Sequence, residues 1–176
     1  VHRASRTMPG APNSAVSLEE SLNAISHAKS HATTNAAAES FVARINNAGD
    51  SSIDTIANSY FFRIHHFSVS NQWDEILRSF FLFDTSSIGS GSTINSSTLS
   101  LKGTVKTNDS GNSPNINIYQ ASTTSNTAVS DSDYEQTRDL TTAFSTAISF
   151  AHFSTTQYNA FDLNASGLAN INKTGI

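Results

Sequence analysis

The sequence predicts an all-β chain: an antiparallel β-sandwich with short helices in its connections and an extended amino-terminal arm. Three observations carry that expectation. Apolar residues recur with period two in short runs between Phe41 and Leu163. Segments rich in Ser, Thr and Asn separate those runs, as turns do. Charged residues make up only 14% of the chain, against roughly 25% in an average soluble protein, so the Lys- and Glu-covered surfaces typical of helices are scarce. Parallel α/β architecture is excluded for want of crossover helices.

Residues 1–16 (VHRASRTMPGAPNSAV) hold Pro9, Gly10 and Pro12 and show no periodicity, so they read as an arm or linker before one domain over residues 17–176. Residues 18–29 are ambiguous between helix and strand. Ser17 and Glu20 have capping-box spacing, and Leu18, Leu22 and Ile25 fall at helical intervals. Residues 31–34, however, make a poor helix interior. From residue 41 the strand signals are regular. FVARI alternates and ends at Asn46, Asn47 and Gly49. YFFRIHHFSV puts Phe61, Arg63, His65, Phe67 and Val69 on one face, with Phe62, Ile64 and His66 on the other. EILRSFFLFD is apolar on both parities, which suits a central strand. STLSLKG turns Leu99 and Leu101 inward and Thr98, Ser100 and Lys102 outward. NINIYQ, TAISFAHF and YNAFDL repeat the pattern, and Asn164 is placed to cap a short helix over residues 165–171. The eleven Phe are the expected core filling, each worth about 1.5–3 kcal/mol when fully buried.

Cysteine is absent, so disulfide staples and thiol chemistry are excluded. The net charge of −4 offers no cationic footprint for nucleic acid. No apolar run approaches the roughly 20 residues of a membrane span. The chain opens at Val1 rather than Met and so reads as processed or partial.

The titratable residues argue against catalysis. No serine sits in a G-x-S-x-G elbow, and no order of Ser, His and Asp suggests a triad. His27 and His31 have the i, i+4 spacing that would share a metal on a helix, but solvent-exposed histidines are the simpler reading. His65 and His66 would face opposite sides of a strand, and His152 reads as a rim residue. Asp131 and Asp133 are explained by helix capping. No cofactor is expected, apart from a structural calcium that oxygen-rich loops bearing Asp84, Asp131 or Asp133 would hold. Carbohydrate recognition needs exposed aromatic rings beside amides and carboxylates. Trp73, Tyr60, Tyr119, Tyr134 and Tyr158 are the candidates, with core or edge packing as the alternative for each. The Asn-X-Ser/Thr sequons at Asn95, Asn108, Asn164 and Asn172 follow from composition alone.

The run RSFFLFDTSSIGSGSTINSSTLSLKG resembles the signature of DNRLRE-type jelly-roll modules, which are related to carbohydrate-binding modules. Arg78, Phe83 with Asp84, Ser87 with Ile88, Thr93 with Ile94, and the strand Thr98, Leu99, Ser100 and Leu101 follow the family pattern in order. FVARINNAGD looks like its early strand and turn, with Phe41 where a Trp is common. NIYQASTTSNTAVSDSDYEQ and YNAFDLNASGLANINKTGI look like its later strand, loop and short helix, so the likeness spans about residues 40–176. The resemblance implies a jelly-roll fold. Such modules continue past INKTGI into further strands. The chain therefore reads as a fragment, or as a sandwich whose open edge a strand from the arm or a neighbour fills.

The resulting expectation is a non-catalytic module displayed outside the cell, on a cell surface or on a virion, acting in adhesion or carbohydrate binding. Its partner would be a polysaccharide or glycan surface. The alternative is a structural virion or filament protein, such as a capsid decoration or tail-fibre piece. It would assemble with other subunits, including copies of itself, through the arm and the open sheet edge.

Overall fold

The computed structural model describes residues 3–7, 16–18, 25–32, 51–54, 63–66, 73–108, 111–126 and 128–175. Among them the protein is mostly β, as its period-two patterning predicts, with small antiparallel sheets and few helical residues. The strands are β1 (Arg3–Thr7), β2 (Val16–Leu18), β3 (Ile25–Ala32), β4 (Ser51–Asp54), β5 (Arg63–His66), β6 (Trp73–Leu82), β7 (Thr93–Leu101), β8 (Asn115–Ile116), β9 (Ile148–Ser149) and β10 (Asn159–Asp162). The helices are the single turn α1 (Asp133–Gln136) and α2 (Ala165–Ala169), with a 3-10 turn at Ser86–Ile88. Residues 41–45 lie outside the described residues. No helix among the described residues is long and apolar enough to cross a membrane.

The chain falls into two compact units. One comprises Val1–Leu22, Asp84–Gln120 and Thr141–Ile176, and the other Asn23–Phe83 and Ala121–Leu140.

The main sheet of the first unit runs β10-β7-β1-β2, antiparallel throughout. Its alternation sets the two faces. Phe161 is fully buried and sits opposite Leu99, and Asn159 is buried opposite Leu101, while the alternate residues Ala160 and Asp162 are exposed. Residues 3–7, part of the arm by sequence, form a strand that pairs with β7 on one side and β2 on the other, with a bulge between Ser5 and Arg6. An isolated bridge from Ser145 to Leu163 joins the segment before β9 to the end of β10, and β9 pairs with β8. Asn164 caps α2 as its position predicts: its side-chain oxygen accepts the Gly167 N–H at 3.0 Å, and its amide donates to the Ala143 carbonyl at 2.9 Å.

The Ser/Gly loop after β6 has a structural task in this unit. The Thr85 N–H donates to the Gly175 carbonyl at 3.2 Å, the Thr85 hydroxyl bridges the Asn172 and Gly175 carbonyls, and the Gly89 N–H donates to the Lys173 carbonyl at 3.0 Å. The Lys173 ammonium donates to the Ser92 carbonyl at 3.1 Å. Gly89 adopts φ of 78°, a conformation that suits glycine. The loop's polar groups thus hold residues 172–175 in place.

The sheet of the second unit runs β4-β3-β6-β5. Strand β6 is central, as its apolar residues on both parities predict: Ile76, Phe80 and Leu82 are buried, while Ser79 and Phe81 are half-buried. Within the segment 18–29, ambiguous between helix and strand by sequence, residues 25–29 belong to β3. Ser26, Ala28, Ser30 and Ala32 alternate with larger residues, which is strand periodicity, and all eight residues of β3 pair with β6. In strand geometry the Cα atoms of His27 and His31 stand about 13 Å apart, too far to share one metal ion.

Candidate functional site

The outward side of β10 and β7 gathers most of the chemistry in the first unit. Tyr158, 60% exposed, shares the outward parity of Ala160 and Asp162. Facing them on β7 are Thr98, opposite Asp162, and Ser100, opposite Ala160. Continuing that register by one residue puts the exposed Lys102 opposite Tyr158. On the far side of β7, Arg3 of β1 holds the register position opposite Thr98. The Thr98 hydroxyl donates to Asp162 Oδ1 at 2.6 Å, which orients the carboxylate along the sheet. From Tyr158 to Asp162 the strand covers about 13 Å. The face therefore combines an aromatic ring, a carboxylate, an ammonium and hydroxyls at fixed spacing.

The backbone beneath Tyr158 is braced. The buried Asn159 side chain accepts the Ser154 N–H at 2.7 Å and donates to the carbonyls of Leu101 and Ser154, both at 2.9 Å. Ser154 Oγ accepts the N–H groups of Thr156 at 3.2 Å and Gln157 at 2.9 Å. These five bonds fix the turn into β10, so the ring projects from an ordered strand end and a ligand would not have to order it.

The other sequence candidates are divided between the two units. Tyr119, 42% exposed, also belongs to the first unit and follows Ile118, whose carbonyl accepts the Phe144 N–H at 2.8 Å. Tyr134 is corrected by the structure: it is fully buried in the second unit, with the Arg78 guanidinium 4.5 Å from its ring centroid, so its faces are closed to a ligand. Arg78 also donates to Thr137 Oγ1 at 2.8 Å. Trp73 opens β6 opposite His66. Tyr60 and the side chain of Trp73 lie outside the described residues.

Of the three calcium candidates, Asp84 belongs to the first unit and Asp131 and Asp133 to the second. Asp84 is exposed in the first unit, where it accepts the Ser86 N–H at 2.9 Å. The Ser86 hydroxyl and N–H hold its carboxyl below the usual value. Asp131 is exposed in the second unit. Asp133, in the same unit, is fully buried and accepts the N–H groups of Thr124 at 2.9 Å and Ser130 at 2.7 Å, the Ser130 hydroxyl at 3.1 Å and the Gln136 amide at 3.4 Å. Burial pushes its carboxyl up, but hydrogen bonds from Ser130 and Thr124 outweigh that and leave it below the ordinary value. Its oxygens are spent on pinning the loop before α1. Asp133 is thus no cap of the helix end, since its donors lie upstream of α1 or within it. No group of three or more His, Asp or Glu side chains placed to hold a metal occurs among the described residues.

Sequence reasoning singled out Tyr158 but missed its surroundings. The alternation of STLSLKG and YNAFDL signals two outward faces, and only the pairing of β7 with β10 sets those faces side by side. No family model, curated protein or solved structure matches the chain.

Proposed function

We propose that the protein is a non-catalytic, surface-displayed β module that binds carbohydrate through the outward face of β10 and β7. The carrying observation is Tyr158, 60% exposed on a braced strand end, in line with Asp162, opposite Lys102 by the continued register and diagonal to Ser100. An exposed tyrosine ring offers a flat apolar surface to the C–H face of a pyranose. The neighbouring carboxylate, ammonium and hydroxyls supply both acceptors and donors for sugar hydroxyls. A chain with low charge and abundant Ser, Thr and Asn suits display outside the cell or on a virion. The likeness of the run from Arg78 to Leu101 to DNRLRE-type modules supports a jelly-roll sandwich as the scaffold.

A glycan array followed by calorimetry on the best binder tests the reading. Tyr158→Ala should weaken binding about three- to tenfold, the value of one aromatic contact. Asp162→Asn should change the ranking of glycans. Binding that survives Tyr158→Ala unchanged, or an array on which nothing binds, overturns the reading.

A second reading is favoured by β1. Its residues come from the amino-terminal arm and fill the edge of β7, and the same pairing made between copies would link subunits of a virion or filament. Light scattering should then show a concentration-dependent multimer that dissociates when residues 1–18 are deleted. A monomer at every concentration rejects it.

A further inference from the structure

Lys106 follows β7 in a stretch, residues 104–108, that is exposed throughout. Its ammonium nevertheless lies within hydrogen-bonding distance of three main-chain carbonyls from one turn: Phe150 at 3.2 Å, Ala151 at 3.0 Å and Phe153 at 2.9 Å. The Phe150 ring centroid lies 5.7 Å from the same nitrogen. Three acceptors for three N–H donors, with an aromatic ring beside them, match the full bonding capacity of a primary ammonium.

The turn that presents these carbonyls is built without Lys106. Its N–H groups have partners of their own: Phe150 bonds the Pro114 carbonyl at 2.7 Å, Ala151 bonds Ser113 Oγ at 3.1 Å, and His152 and Phe153 bond the Ser149 carbonyl at 2.9 and 3.0 Å, with Phe153 also reaching the Phe150 carbonyl at 3.3 Å. A further bond, 2.9 Å long, joins Ser149 Oγ and His152 Nδ1, and the Phe153 side chain is buried. The Ala151 and Phe153 carbonyls, together with the Phe150 carbonyl that also accepts the Phe153 N–H, converge on the Lys106 ammonium. Gly103 eases the close run at the exit of β7: a Cβ there would stand 3.0 Å from a Phe153 ring carbon and 3.3 Å from the Ser154 carbonyl oxygen, so a larger residue would push these neighbours aside. Val105 is 83% exposed and gives the segment little apolar anchorage.

We propose that the turn at residues 150–153 is a receptor for a primary ammonium, filled in the native chain by Lys106. The ligand class is a small monovalent cation with N–H donors, and Lys106 is its tethered member. Removing the tether opens the site to a free ammonium ion. This proposal is independent of the carbohydrate reading.

The test uses the full chain with Lys106→Ala, and Lys106→Met to retain part of the apolar stem should the alanine variant fold poorly. Thermal midpoints and amide hydrogen exchange over residues 103–108 are followed in ammonium, methylammonium and tetramethylammonium chloride at equal ionic strength. Exchange in that segment should quicken about tenfold or more in the variants. Ammonium and methylammonium should raise the variant midpoint toward wild type, and tetramethylammonium, which has no N–H, should not. Wild type should respond alike to all three salts. A variant indistinguishable from wild type, or one that responds alike to all three salts, overturns the proposal.

Discussion

Replacing Asp133 by Asn is the sharpest probe of the second unit. The substitution keeps the shape of a fully buried side chain and removes its charge. One carboxylate oxygen takes the Thr124 N–H at 2.9 Å, and the other takes the Ser130 N–H at 2.7 Å. An asparagine can present its carbonyl to only one of these donors and must turn its own NH2 toward the other. The loss of a charge-assisted hydrogen bond, with a donor left unpaired, costs about 3 kcal/mol in total. For a chain of this size about 2–4 °C of melting temperature goes with each kcal/mol, so the midpoint should fall by roughly 6–12 °C. Acid supplies a second handle. The Asp133 carboxyl is held below its unfolded value, so its stabilisation is complete above the unfolded pKa of about 3.9 and is lost as pH falls through the folded value. Urea unfolding of wild type and Asp133→Asn should therefore show a constant gap from about pH 7 to 5 that closes below about pH 4. Asp131→Asn, at an exposed position, should stay within about 0.5 kcal/mol of wild type. An Asp133→Asn variant as stable as wild type, or a gap unaltered by acid, refutes the assignment of Asp133 as the pin of this loop.

Two further substitutions test the first unit. Gly167→Ala would ordinarily favour helix α2 by about 1 kcal/mol. Here the new Cβ would stand 3.0 Å from both Phe144 Cβ and the Phe144 carbonyl oxygen, so urea unfolding should show destabilisation by about 1–3 kcal/mol. Thr85→Val removes the hydroxyl that bridges the Asn172 and Gly175 carbonyls, and hydrogen exchange at residues 172–175 should quicken while that at β10 stays unchanged.

Strand identity was legible wherever one face meets the core and the other meets water. Phe161 against Ala160 and Asp162 announces β10 through period two alone, whereas residues 98–101 of β7 are all half-buried and their faces are told apart only by the register with β10. The Asn164 cap was equally plain, because a cap is decided within three residues of chain. Residues 18–29 were ambiguous because capping-box spacing and the helical intervals of Leu18, Leu22 and Ile25 favour helix locally, whereas the pairing of residues 25–29 with a central apolar strand is a distant term that local patterns do not hold. The same distance hid the arm: nothing in RASRT names Thr98 as the partner of Arg3. Asp133 looked like a cap because its donors, nine and three residues upstream, meet it only once the loop has folded. Tyr134 looked like a surface aromatic because polar neighbours surround it in sequence, although the loop turns it fully inward. Lys106 gave no sign at all, since main-chain carbonyls leave no mark on composition.

The interleaving of the two units along the chain governs how the protein can be handled. The first unit is assembled from three stretches and the second from two, so no continuous stretch of gene encodes either by itself. A shortened chain cut to deliver the Tyr158 face would discard partners of β7 that lie some 60 to 95 residues away. Because such distant pairings must close long loops before they return any stability, truncation should yield aggregates rather than a smaller working module. Dissection is therefore better done by point substitution than by shortening.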